Sequence, residues 1–188
     1  MKTHDLTPPE QWLEDYGDVL YRYALGRVRN PAVAEDLLQE TLLSALKAQQ
    51  NYSGTATTQT WLIGILKHKI IDFFRQKGRE KEDTLDPQSS EIEQLLFDHE
   101  GHWQQALSNL PEPENAMQQA QFLAVLESCI DRLPGRLARV FILRELENLD
   151  NDEICQILAI SSINNLWVMM SRARLQLRHC LEIQWLKH

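Results

Sequence analysis

The 188-residue sequence has no apolar run long enough to cross a membrane: its best stretch, 61–66, stops at Lys67, whereas a span needs about 18 residues or more. The opening residues MKTHDLTPPEQW lack the apolar core of a secretory signal, so a cytoplasmic protein without membrane insertion is expected. Cysteine is scarce. Cys129, Cys155 and Cys180 are widely spaced with no CxxC pair, which argues against a closed zinc site and against a disulfide framework. Their apolar neighbours predict buried free thiols in a reducing compartment. Glycine and proline number seven each, and no repeat of fixed period is present. No Gly-rich phosphate loop, GxSxG elbow or HExxH occurs, and the six histidines form no acid–base pair. His99 and His102, three apart around Glu100, read as polar residues on an exposed helix side rather than as a metal seed. The expectation is no enzyme, no catalytic residue, no cofactor and no metal.

One absence is local. Between residues 82 and 128 there is no Lys or Arg, while Asp and Glu number ten. The whole chain carries 19 Lys+Arg against 27 Asp+Glu, a formal charge of −8 that by itself argues against a nucleic-acid binder. Outside 82–128, however, 17 acidic residues face 19 basic ones, a balance of +2. The acidity is concentrated in one segment, and the objection weakens accordingly.

What is present is helical periodicity. With 43% apolar residues the chain can bury a core, and the apolar positions recur at about 3.6 residues. A first helix over 10–28 uses Trp12, Leu13, Tyr16, Val19, Leu20, Tyr23 and Leu25. After Asn30-Pro31, a second over 32–49 buries Val33, Leu37, Leu38, Leu42, Ala45 and Leu46. A polar loop over 51–59 leads to a third helix over 60–78, with Gly78 as its C-cap. The acidic stretch holds one more helical pattern, 91–110, closed by LPEPEN. Helices over 118–132, 136–146, 151–158 and 164–183 complete the chain, and the last pair, separated by Ile160-Ser161-Ser162, outlines a helix-turn-helix. No strand pattern of useful length appears. The fold class is therefore all-α: an N-terminal helical bundle (1–81), an acidic linker with one amphipathic helix (82–117), and a C-terminal helix-turn-helix domain (118–188).

Three surfaces stand out. Residues 61–81 carry Lys67, Lys69, Arg75, Lys77, Arg79 and Lys81 against Asp72 and Glu80, and positions 67, 68, 71, 72 and 75 share one helix face. Tyr52, Trp61, Phe73 and Phe74 lie near it, as stacking of unpaired bases requires. The same pattern also fits core aromatics under a solvated charged face. The segment 165–188 has four Lys/Arg and one Glu, suited to a recognition helix that pins phosphates, although Arg-rich amphipathic helices also end many other helical proteins. The second helix instead shows an acidic-polar face, Asp36, Gln39, Glu40 and Leu43 at i, i+3, i+4, i+7, which fits either a protein partner or plain solvation.

The order AEDLLQETLLSALK, YSGTATTQTWLIGILKHKIIDFFRQKGRE, acidic linker, LPGRLARVFILRELENLDNDEICQIL and LWVMMSRARLQLRHCLE resembles the extracytoplasmic-function (ECF) group of sigma-70 family sigma factors. The resemblance covers roughly 10–80 and 118–184. It implies a cytoplasmic, stress-responsive transcription initiation factor that binds core RNA polymerase and promoter DNA, with an anti-sigma factor as regulator. It assigns Asp36, Gln39, Glu40 and Leu43 to the polymerase clamp. The loop and third helix become the −10 reader, through Ser53, Thr57, Thr60, Trp61, Lys67, His68, Asp72 and Arg75, with loop 53–59 pocketing a flipped base. The −35 reader comprises Asn164, Asn165, Trp167, Ser171, Arg172 and Arg174. The group lacks the middle domain of primary sigma factors, in keeping with a mere linker here.

One departure concerns the turn ISSINNLW, one residue longer than the family pattern. An added residue rotates the next helix by about 100° unless the turn absorbs it. Because Leu166, Met169 and Met170 need the core, absorption in the turn is expected. Two other classes stay open on the residues alone: a helix-turn-helix activator whose residues 1–80 sense a signal, and a helical adaptor that binds no DNA.

Overall fold

The computed structural model describes residues 5–79 and 116–185. Every regular element among them is helical. The chain forms two compact units, Met1–Lys77 and Gly78–His188. The acidic segment up to residue 115, with its expected helix at 91–110, and His99 and His102 lie outside the described residues.

In the first unit a short 3-10 turn, Pro9–Gln11, leads into α1 (Trp12–Val28), and then come α2 (Pro31–Ala48), a second 3-10 turn (Gln49–Asn51) and α3 (Thr58–Arg79). The joints obey local chemistry. Arg29 takes a left-handed conformation (φ 56°) and its N–H closes α1 on the Leu25 carbonyl. Asn30 then caps α2, its side chain accepting from the Val33 N–H at 3.2 Å, with Pro31 at the first helical position where a missing donor does no harm. At α3 the Thr57 hydroxyl accepts from the Thr60 N–H at 3.2 Å. Gly78 does not stop α3, which continues to Arg79.

The core of this unit is built from Trp12, Leu20 and Ala24 of α1, Ala34, Leu37, Leu38 and Ala45 of α2, and the i, i+4 row Leu62, Leu66, Ile70, Phe74 of α3. Thr41 is also buried, and its hydroxyl donates to the Leu37 carbonyl at 2.7 Å, so no polar group is stranded. Three expected core residues face water instead: Leu13 (62% exposed), Val19 and Leu46. Periodicity assigned too wide an apolar stripe: the positions actually buried are Trp12, Gly17, Leu20 and Ala24 on α1 and Ala34, Leu37, Leu38, Thr41 and Ala45 on α2.

The second unit contains α4 (Ala116–Asp131), α5 (Gly135–Phe141), one turn of π-helix (Ile142–Leu146), α6 (Asn151–Ile157) and α7 (Ile163–Gln184). The long α7 packs against α4, α5 and α6. Asp150 caps α6 by accepting from the Glu153 N–H at 2.8 Å. The turn into α7 bends at Ala159 (φ 50°), the Ile160 N–H returns to the Cys155 carbonyl at 2.9 Å, and Ile160 is buried. Ser162 then caps α7 by accepting from the Asn165 N–H at 3.2 Å. Leu166, Met169 and Met170 are buried, as expected.

The cysteine expectation is corrected here. Cys129 of α4 and Cys180 of α7 form a disulfide with Cα atoms 5.8 Å apart, and only Cys155 is a free thiol. A count of three widely spaced cysteines concealed a pair that helix packing brings together across 51 positions. The Cys155 thiol is held above its ordinary pKa by burial first and by the Asp152 carboxylate second.

Candidate functional site

Helix α2 turns Asp36, Gln39, Glu40 and Leu43 outward, all exposed, with Leu43 at 57%. Leu46, one i+3 step further, extends this face, and assigning it to the core concealed that. The four do not have equal surroundings. Glu40 Oε2 lies 3.4 Å from Lys69 Nζ of α3, so it bridges two helices as well as facing solvent.

The polar loop after Tyr52 and the start of α3 form a second site. The Tyr52 hydroxyl donates to the Ala56 carbonyl, closing the loop on itself. Gly54 supplies the turn's positive φ of 71°. Ser53 and Thr55 hydroxyls lie 2.9 Å apart, as do those of Thr57 and Thr60. Ser53, Thr55, Thr57 and Thr60 are exposed. Trp61 is half-buried, and Tyr52 and Trp12 meet its ring edge-on at 5.3 and 5.9 Å.

Thr57, just before α3, and Thr60, Trp61, Lys67, His68, Asp72 and Arg75 along it are separated by three, four or seven residues, so all seven fall on one face. From Thr60 to Arg75 that row spans about 22 Å at the helical rise per residue. Its charges are partly engaged: an Arg75 guanidinium N–H donates to Asp72 Oδ1 at 2.5 Å, and the His68 ring contacts the Gly64 carbonyl at 2.8 Å. The structure thus brings the expected −10 residues of α3 onto one surface, with Ser53 in the loop that leads to it.

On α7 the expected residues divide. Asn164, Asn165 and Trp167 (45% exposed) sit on the open first turns, while Ser171 and Arg172 are half-buried. Asn165 also serves the turn, its side-chain amide donating to Ser161 Oγ at 3.4 Å. Arg174 is exposed yet donates to Glu145 of the π-turn at 2.7 Å. Ile163 and Val168 are exposed beside Trp167, an apolar pair that sequence reasoning left unassigned. Periodicity could have found Val168, which falls on the outer face once Leu166, Met169 and Met170 are turned inward.

Among the described residues, no group of His, Cys, Asp and Glu is placed to hold a metal, and no helix is long and apolar enough to cross a membrane.

Each unit matches a known sequence family: residues 12–80 match Sigma-70 region 2, and residues 123–177 match Sigma-70, region 4. A "Probable RNA polymerase sigma factor" of Haemophilus influenzae is 38% identical over 162 residues, covering 85% of this chain and 82% of that protein. "RNA polymerase sigma factor YlaC" of Bacillus subtilis is 27% identical over 171 residues, 90% of this chain and 89% of the relative. The sigma factor RpoE from Bartonella quintana, solved in complex with the anti-sigma factor NepR, aligns with 93% of this chain and 97% of its own at 19% identity and a TM-score of 0.42.

Proposed function

Because this chain belongs to the sigma-70 family of RNA polymerase sigma factors, and to its extracytoplasmic-function type, we propose that its three exposed faces divide the work of initiation. The protein itself binds core RNA polymerase, directs promoter recognition and supports initiation. Asp36, Gln39, Glu40 and Leu43 of α2 meet the polymerase clamp. Loop 53–57 and the α3 row from Thr60 to Arg75 take the melted −10 strand. The first turns of α7, with Asn164, Asn165, Trp167, Ser171, Arg172 and Arg174, enter the −35 major groove.

One observation carries this reading: hydroxyls, a half-buried indole and cations share one face at the start of α3 and along it. A melted strand needs those three chemistries in sequence. Hydroxyls bond an extruded base, an aromatic face stacks its neighbour, and cations track the phosphates. The activator alternative would require residues 1–80 to sense a signal, whereas that stretch matches region 2 over 12–80.

This role sets the remaining parts of the reading. The chain is a specificity subunit with no chemistry of its own, working in the cytoplasm where polymerase and DNA are. The acidic segment would repel DNA and run along the positively charged RNA-exit channel of polymerase. An anti-sigma factor would silence the chain by covering the α2 and α3 faces.

Run-off transcription with purified core polymerase and no other sigma factor tests the function, and promoter-specific transcripts are the expected result. A persistent need for a second sigma factor would overturn it. For the clamp face, Asp36→Arg with Gln39→Arg should weaken core-polymerase binding by about tenfold or more while leaving stability within about 0.5 kcal/mol, since both side chains are exposed. Unimpaired binding removes the assignment.

A further inference from the structure

The loop proposed to take a base is held at both ends by contacts within the protein. At its start Tyr52 packs edge-on against Trp61, which packs edge-on against the buried Trp12. At its end Thr58, the first residue of α3, is buried at 4% exposure. The N-terminal segment reaches Thr58 across 51 positions: the Thr7 N–H donates to Thr58 Oγ1 at 3.0 Å, and the two hydroxyls lie 3.3 Å apart. The Thr7 hydroxyl also lies 2.8 Å from the Tyr16 hydroxyl, and the Thr7 carbonyl accepts from the Trp12 indole N–H at 2.7 Å.

Thr7 is therefore the node of a network that reaches two residues of α1 and one of α3. It shares Trp12 with the aromatic chain that leads back to Tyr52. A residue that merely covered the core would need no such convergence of four polar contacts, because apolar contact alone would serve.

We propose that Thr7, acting through Thr58, is a positioning residue that holds loop 53–57 in shape for an unpaired promoter base; this rests on the base-capture reading of that loop. Ordering a polar loop on binding weakens affinity by the entropy lost, and a loop already held avoids that loss. Thr58 is buried, so its hydroxyl acts on DNA only through the loop whose end it fixes.

The test uses the full chain with core polymerase. Its probes are pre-melted promoter templates carrying a single abasic site at each non-template −10 position in turn. The intact protein should lose affinity at one position, where the captured base is missing. Thr58→Val removes the acceptor for the Thr7 N–H and should weaken binding to the intact template about fivefold, with core-polymerase affinity unchanged. At the abasic position that defect should vanish, because a misplaced loop has no base left to lose, and Thr58→Ser should restore wild-type behaviour. If Thr58→Val fails to fold, Tyr16→Phe and Thr7→Val loosen the same node without altering α3 and are read in the same way.

The contrary results are distinct. An intact protein indifferent to every abasic site overturns the base-capture reading, and this proposal with it. A sensitive position combined with a Thr58→Val defect that adds to it in full overturns the positioning role alone. Equal loss of core-polymerase binding makes Thr7 a structural staple and also overturns it.

Discussion

Glu40 and Lys69 form an ion pair, Oε2 to Nζ 3.4 Å, that ties the acidic helix α2 to the basic helix α3. A residue assigned to the polymerase clamp thus also neutralises a cation on the helix assigned to DNA. The pair is partly exposed, with side-chain exposures of 31% for Lys69 and 58% for Glu40, so its stabilisation is under about 1 kcal/mol.

A charge exchange separates those roles. Glu40→Lys alone places two cations together and should lower stability by less than about 1 kcal/mol in denaturant unfolding. Adding Lys69→Glu should recover that stability without recovering core-polymerase affinity. If the exchanged pair binds polymerase like the parent, Glu40 serves only as a structural partner.

The cations of α3 predict a salt signature. Replacing Lys67 and Arg75 by Ala should weaken binding to single-stranded −10 DNA. It should also reduce the slope of log affinity against log salt by roughly 1.4, two phosphate contacts' worth on a single strand. An unchanged slope counts against this face.

On α7 the Glu145 carboxylate holds Arg174, a residue proposed for −35 phosphates, and would compete with them for it. Glu145→Gln should release the guanidinium, tighten binding to a −35 duplex by up to about fivefold at low salt, and steepen the salt dependence. Titration of a labelled duplex at two ionic strengths decides the matter. No change in either quantity would mean that Arg174 stays away from the backbone.

The Cys129–Cys180 bond closes a large loop between α4 and α7. Chain-entropy arguments put its contribution at about 2–4 kcal/mol, so reduction, or Cys129→Ser with Cys180→Ser, should raise amide exchange in both helices by that amount. Residues 12–77 should exchange as before. Unaltered protection in α4 would show that apolar packing, including the edge-on Phe122–Trp185 pair at 5.4 Å, suffices without the bond.

The sites were legible to different degrees. The row from Thr60 to Arg75 could be read from residue spacing, because positions three and four apart share a helix face whatever surrounds the helix. The same rule overreached at Leu13, Val19 and Leu46. A 3.6-residue period says which residues share a face but not how wide the buried stripe is; that width is set by how the neighbouring helices pack, and here it left these three in water. The burial of Leu166, Met169 and Met170 in α7 was legible as well.

The sequence by itself determined the all-helical class, the places where helices start, the outward faces of α2 and α3, and a family resemblance that similar proteins bore out. These rest on local spacing and capping, which act within a few residues. Only the tertiary structure decided that Thr7 meets Thr58, that Cys129 meets Cys180, and that Glu145 takes Arg174, partners separated by 51, 51 and 29 positions. No local pattern encodes such pairings. They exist because burying the apolar stripes brings whole helices together, and that packing sets the polar and sulfur chemistry between them.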